Sequence, residues 1–174
     1  LELHRRIVPG HAVAPDLADH VAAADKGAHL GLPFGFAHHF DMGGALQATE
    51  MYHQLFQPSA VLDRPYMLIT ANVLVADTQE EADWHAAPGR LTALGRRTGR
   101  FIRLPSPTDA AVHPDREQAE RLPTSRVVGD PATVVPALRG LVDRTGADEL
   151  MVTSVAYDLS ARVRSLELLA EHWS

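Results

Sequence analysis

Apolar positions along this chain change period several times, and each change marks an element. In "DLADHVAAADKGAHLG", Asp16 to Gly31, the residues Leu17, Val21, Ala24 and Ala28 recur at three- and four-residue spacing. That spacing predicts a helix closed by a glycine at C′. "LPFGFAHHF" follows with almost no linker and, being short, apolar and aromatic, reads as a buried strand. Helical spacing returns in "GGALQATEMYHQLFQ" through Leu46, Met51, Leu55 and Phe56, and stops before Pro58. The strongest strand signal is "RPYMLITANVLVADT", Arg64 to Thr78, which is apolar on both alternating faces. Thr78 and Glu81 then have the spacing of a capping box, so a helix begins there, and Pro88 with Gly89 is expected to kink or divide it.

From Gly99 to Ser125 the chain is polar, proline-rich and weakly periodic. It reads as an excursion from the core, with one short helix near Asp115 to Arg121. Asp130 and Pro131 are an N-cap and N1 pair, opening a helix that runs to about Thr145 with Pro136 inside it and Gly146 beyond. "DELMVTSV" is a third buried strand. The last segment, "SARVRSLELLAEHW", is amphipathic, with Val163, Leu166, Leu169 and Ala170 on one side and Arg162, Arg164 and Glu167 on the other. Three continuously apolar strands, each followed by a helical pattern, predict an α/β fold with a parallel sheet and helical crossovers. Ligands in such folds sit at the carboxyl ends of the strands, and His38, His39 and Asp41 lie at one.

Composition narrows the function classes. The 174 residues suggest a single domain spanning 1–174, and the 45% hydrophobic share suffices for an ordinary core. A formal charge of −6 argues against a nucleic-acid or anionic-membrane partner. The absence of cysteine excludes disulfides and thiolate chemistry, and fits a reducing compartment. No segment reaches the ~18 uninterrupted apolar residues of a membrane span, so a cytoplasmic location is the expectation.

Several polar residues interrupt these apolar segments. Adjacent strand residues point to opposite faces, so His38 and His39 share a site only where the strand has ended. "HHFD" offers two nitrogens and a carboxylate, but opposite-facing neighbours converge badly on a metal, and no metal site is expected. Asn72 interrupts the most apolar strand and needs a hydrogen-bond partner if buried. Thr153 and Ser154 end the third strand, where hydroxyls serve either a ligand or a turn. Gly43 and Gly44 precede a helix, where a phosphate could approach or the chain could simply turn.

"GLPFGFAHHF", "FQPSAVLDRPYMLITANVLVADTQEEA", "VVGDPATV" and "TGADELMVTSVAYDLSARVRSLELLAEHW" together resemble the C-terminal half of the bacterial-luciferase-like flavin-dependent monooxygenases, from about Gly31 to Trp173. The resemblance implies a TIM-barrel enzyme that uses reduced FMN, usually supplied by a separate reductase, to activate O₂ and oxygenate a small organic substrate; some relatives use F420 instead. It makes the three strands the sixth, seventh and eighth of the barrel, and residues 99–125 the family's insertion. His39, then His38, would be the catalytic groups, donating a hydrogen bond to the flavin or moving a proton. Gly43, Gly44, Asn72, Thr153 and Ser154 would line the cofactor.

The chain departs from the family in two respects. Members are roughly twice this length, and a (β/α)₈ barrel takes about 250 residues, so a partial barrel of three strands with their helices is expected. The family's Gly-Ser-Ser turn, which helps hold the flavin phosphate, has no counterpart here. Asp16 and Asp19 put negative charge where N–H donors are needed, which counts against FMN binding by this chain alone. An incomplete barrel leaves a sheet to be covered by a homo- or hetero-oligomeric partner. Besides an oxygenase half, the pattern admits a non-catalytic half-barrel assembly module and a small self-sufficient α/β ligand-binding protein.

Overall fold

The computed structural model describes residues 17–40 and 44–173. Its helices are α1 (Leu17–His29), α2 (Ala45–Leu55), α3 (Gln79–Arg97), α4 (Pro107–Ala111), α5 (Arg116–Glu120), α6 (Pro131–Thr145) and α7 (Leu159–Trp173). Its strands are β1 (Phe34–Phe36), β2 (Met67–Val75), β3 (Val127–Gly129) and β4 (Glu149–Thr153), and a 3-10 turn covers His38–Phe40.

Every pairing is parallel and every pairing involves β2. β1 pairs at Phe34↔Met67 through Phe36↔Ile69, and β4 at Leu68↔Glu149 through Asn72↔Thr153. Since Leu68 and Ile69 pair with both, β1 and β4 occupy opposite edges of β2. β3 takes up the ladder further along, at Val73↔Val127 through Val75↔Gly129. The sheet is open, and among the described residues β1 and β4 have no second neighbour.

Alternation along β2 sorts its side chains. Met67, Ile69, Ala71, Val73 and Val75 join one core with Ala24 and Ala28 of α1, Tyr52 of α2, Val134 and Leu138 of α6, and Leu168 and Leu169 of α7. The other face is barely covered near its start: Gly35, Glu149 and Met151 are exposed and Thr70 is half-buried. Towards the carboxyl end it closes, where Leu74 meets Ala86 and Ala156.

The expected punctuation is largely present. α1 ends in a Schellman closure: Leu32 N–H donates to Gly27 O, Gly31 N–H donates to Ala28 O, and Gly31 has φ +60°. A Cβ there would stand 2.5 Å from Gln57 O, so the glycine also admits the next loop. Thr78 accepts from Glu81 N–H at 3.2 Å, and Asp130 accepts from Thr133 N–H at 2.8 Å. Gly146 closes α6 at φ +63°.

Four expectations need correction. Pro88 does not divide α3, which runs on to Arg97; the carbonyl it deprives is that of Trp84, an exposed residue where water can take the bond. Residues 99–125 hold two short helices rather than one, and Ala110 and Ala119 pack on Leu91 and Leu94 of α3. There is a strand, β3, that the apolar pattern did not announce. On α7, the buried positions are Ser165, Leu168 and Leu169, while Val163 and Leu166 are each 47% exposed. The Ser165 hydroxyl accepts the Val75 N–H at 2.8 Å, on the same side of the helix that buries Leu168 and Leu169.

Candidate functional site

β1 ends at Phe36, one residue before the 3-10 turn that carries His38 and His39. The constraint that adjacent strand residues face opposite ways therefore does not govern the pair. The turn lies beside β2, and His39 Nδ1 sits 2.6 Å from Thr70 Oγ1. Thr70 Oγ1 is also 3.4 Å from Phe36 O. The Thr70 hydroxyl donates to Phe36 O and holds the His39 ring at Nδ1, a nitrogen that donates or accepts according to the tautomer.

Two residues along β2, Asn72 lies in register with Thr153 and donates from Nδ2 to its Oγ1 at 3.3 Å. Thr153 in turn donates to Ala71 O at 3.4 Å. Thr70 and Asn72 share a face. It is the face turned away from the helical core, so His39–Thr70 and Asn72–Thr153 form one polar row across β1, β2 and β4. Burial, followed by the charge of neighbouring His38, holds the His39 imidazole below its ordinary range, which favours the neutral ring.

Of the remaining expected site residues, Ser154 has a buried Oγ with no hydrogen-bond partner among the described residues. His38 is half-buried, with Nδ1 shielded from solvent. Gly44 stands before α2 at φ +87°, brings no side-chain cap, and accepts from Ala48 N–H through its carbonyl at 2.9 Å. Gly43 and Asp41 lie outside the described residues. Thr70 was not foreseen as His39's partner, although its two-residue spacing from Asn72 was a signal that both share a face. Among the described residues, no three His, Cys, Asp or Glu side chains group to hold a metal, and no helix is long and apolar enough to cross a membrane.

No family model matches the chain. The uncharacterized protein YvbT of Bacillus subtilis (strain 168) is 34% identical over 177 residues, covering 97% of this chain and 52% of its own length. A luciferase-like monooxygenase of Escherichia coli (strain K12) is 33% identical over 172 residues, covering 95% of this chain and 51% of that protein. Apo-MsnO8 superposes with a TM-score of 0.77 at 27% identity over 97% of this chain and 53% of that one.

Over nearly its whole length the chain is similar to proteins named luciferase-like monooxygenases.

It spans about half the length of the curated relatives it matches. Their solved neighbours are TIM-barrel enzymes, and an open, all-parallel sheet with helical crossovers is consistent with part of such a barrel. The oxygenating constituent of 3,6-diketocamphane monooxygenase from Pseudomonas putida, a type II Baeyer–Villiger monooxygenase solved with FMN, shares the fold at a TM-score of 0.52 and 20% identity, over 88% of this chain and 44% of that one. The luciferase-like kinship thus rests on sequence and fold together, and the flavin belongs to that neighbour.

Proposed function

We propose that this chain is the C-terminal half of a luciferase-like flavin-dependent monooxygenase, acting on a small organic substrate with O₂ once the missing strands are supplied. The observation that carries the reading is the polar row, His39–Thr70 and Asn72–Thr153, on the sheet face turned away from the main helical core. In a complete barrel that face is the lumen, and active sites occupy its carboxyl-terminal mouth.

The row suits the heterocycle of a flavin, which needs directional donors and acceptors on an otherwise apolar wall. Asn72 and Thr153 would orient the ring, with the Ser154 hydroxyl adding a further group. Gly43 and Gly44, at the start of α2, would let a phosphate approach the helix N-terminus. Reduced FMN, or F420 in its place, would supply the electrons that activate O₂. His39 would hold or move a proton on its imidazole, with Thr70 fixing the ring at Nδ1, and His38 would lower the affinity of that ring for a second proton.

Activity then depends on the rest of the barrel, whether from the same polypeptide or from a homo- or hetero-oligomeric partner, and on a source of reduced flavin. The exposed Val163–Leu166 stripe and the unpaired edge of β4 support such a partner. The test is a visible spectrum of the purified chain with and without FMN, with the oligomeric mass measured on the same sample. The expected result is an assembly larger than one chain that perturbs the flavin spectrum, with the perturbation lost in His39→Ala. A monodisperse monomer that leaves the flavin spectrum unaltered overturns the reading.

A further inference from the structure

A second hollow, distinct from the polar row, opens beyond the end of β4. It measures about 250 Å³ and is lined by Thr92 and Arg96 of α3, by Phe101, Ile102 and Leu104 of the loop that follows, and by Val155. Phe101 is 82% exposed, an unusual position for a large aromatic side chain with no partner of its own kind. Among the described residues, no carboxylate pairs with Arg96.

A second guanidinium shares this side of α3. Arg126, one residue before β3, places its guanidinium over Gly89, in space that a Cβ would occupy. Gly89 and Thr92 are one turn apart and joined by the Thr92 hydroxyl, which donates to Gly89 O at 3.0 Å. Positions 89, 92 and 96 recur at helical spacing, so Arg126 and the hollow lie along one face. Burial first, then the charges of Arg96 and Arg90, hold Arg126 below the usual guanidinium range. Arg90 is neutralised by Asp83 at 2.7 Å, whereas no carboxylate among the described residues pairs with Arg96 or Arg126. Like charges gathered on a partly desolvated surface disfavour the apo state, and a bound anion relieves them.

We infer that this hollow takes the substrate, and that the substrate is a short apolar carboxylic acid. Its hydrocarbon body lies against Phe101, Ile102, Leu104 and Val155, and its carboxylate meets Arg96 with Arg126 behind. The inference rests on the oxygenase reading and adds the substrate class: Val155, which lines the hollow, is two residues beyond Thr153, so the hollow opens on the segment that leaves β4 after the Asn72–Thr153 pair. The volume falls just below the roughly 300–1,000 Å³ of drug-sized pockets, which selects a short chain.

Hexanoate, butanoate and hexanol, titrated into the full chain and followed by calorimetry, provide the test. Hexanoate is expected to bind at least about tenfold more tightly than hexanol, because one charge-assisted hydrogen bond distinguishes them. Butanoate, shorter by two methylenes at about fourfold each, is expected to bind about fifteenfold more weakly than hexanoate. Arg96→Gln, at an exposed position that the core does not use, should bring hexanoate to the level of hexanol, and Phe101→Ser should weaken acid and alcohol alike. Equal binding of acid and alcohol, no dependence on chain length, or unchanged hexanoate affinity in Arg96→Gln would overturn the inference. FMN fluorescence in the same samples separates the two readings. Selective hexanoate binding without a flavin response keeps the hollow and removes the oxygenase; a flavin response without carboxylate selectivity does the reverse.

Discussion

The two faces of β2 follow different rules although they alternate residue by residue. Towards the helices, Met67, Ile69 and Ala71 are fully buried within the apolar core. Towards the opposite side, Thr70 and Asn72 carry hydroxyl and amide groups whose partners come from β1's following turn and from β4. The first face is held by area removed from water, which any well-fitting apolar set provides. The second is held by directional bonds between residues 31 and 81 positions apart in sequence, which stabilise little and orient much. Function is to be sought on the second face.

The sharpest way to break this contrast is to exchange the chemistry of neighbouring residues. Ile69→Thr puts an unpartnered hydroxyl and a small void into the core, and urea denaturation is expected to show a loss of about 2–4 kcal/mol. Ser165→Ala strips the buried Val75 N–H of its acceptor and should cost about 1–3 kcal/mol by the same measurement. Thr70→Val, on the open face, should stay within about 1.5 kcal/mol of the parent yet alter the ring-nitrogen chemical shifts of His39, because its Nδ1 loses the hydroxyl. An unchanged His39 spectrum in that variant would mean the pair does not hold the ring.

Acidification sharpens the comparison further. An unfolded histidine titrates near 6.5, and folded His39 titrates lower. Between those values the unfolded chain holds the proton and the folded chain does not. Its contribution therefore makes stability fall as pH drops through that window and level off below it. His39→Gln should flatten this part of the stability–pH curve, and an NMR titration midpoint at or above 6.5 would contradict it. The smallest effect belongs to the surface: Arg164→Ala removes the exposed 2.6 Å pair with Asp77 and should leave the urea midpoint nearly unchanged.

The legible parts of the sequence were those where one residue type answers one local need. Asp130 before Pro131, Thr78 before Glu81, and Gly31 and Gly146 after their helices all act through backbone groups within a turn, so spacing alone locates them. The Ser106–Pro107 start of α4 was equally local, since Ser106 accepts from Asp109 N–H, and it passed unread inside a proline-rich stretch. β3 could not be read, because three residues carry no period and owe their conformation to the pairing with Val73–Val75. α7 misled for a related reason. Its apolar stripe through Val163 and Leu166 is real, but the serine between them bonds the end of a distant strand, and the helix buries that side instead. His39, Asn72 and Thr153 stood out one by one; that His39 meets Thr70 and Asn72 meets Thr153 did not, because pairing across the sheet is a property of register rather than of spacing.

All strand contacts converge on β2, and this has a bearing on how the polypeptide emerges during translation. The β1–β2 ladder can form as soon as residue 75 has cleared the ribosome, while the Asn72–Thr153 rung waits for 81 further residues. Until then one margin of the central strand is unsatisfied, in a nascent segment rich in Leu, Ile and Val. Chaperone demand during synthesis should accordingly peak in that interval and decline once the final strand is in place.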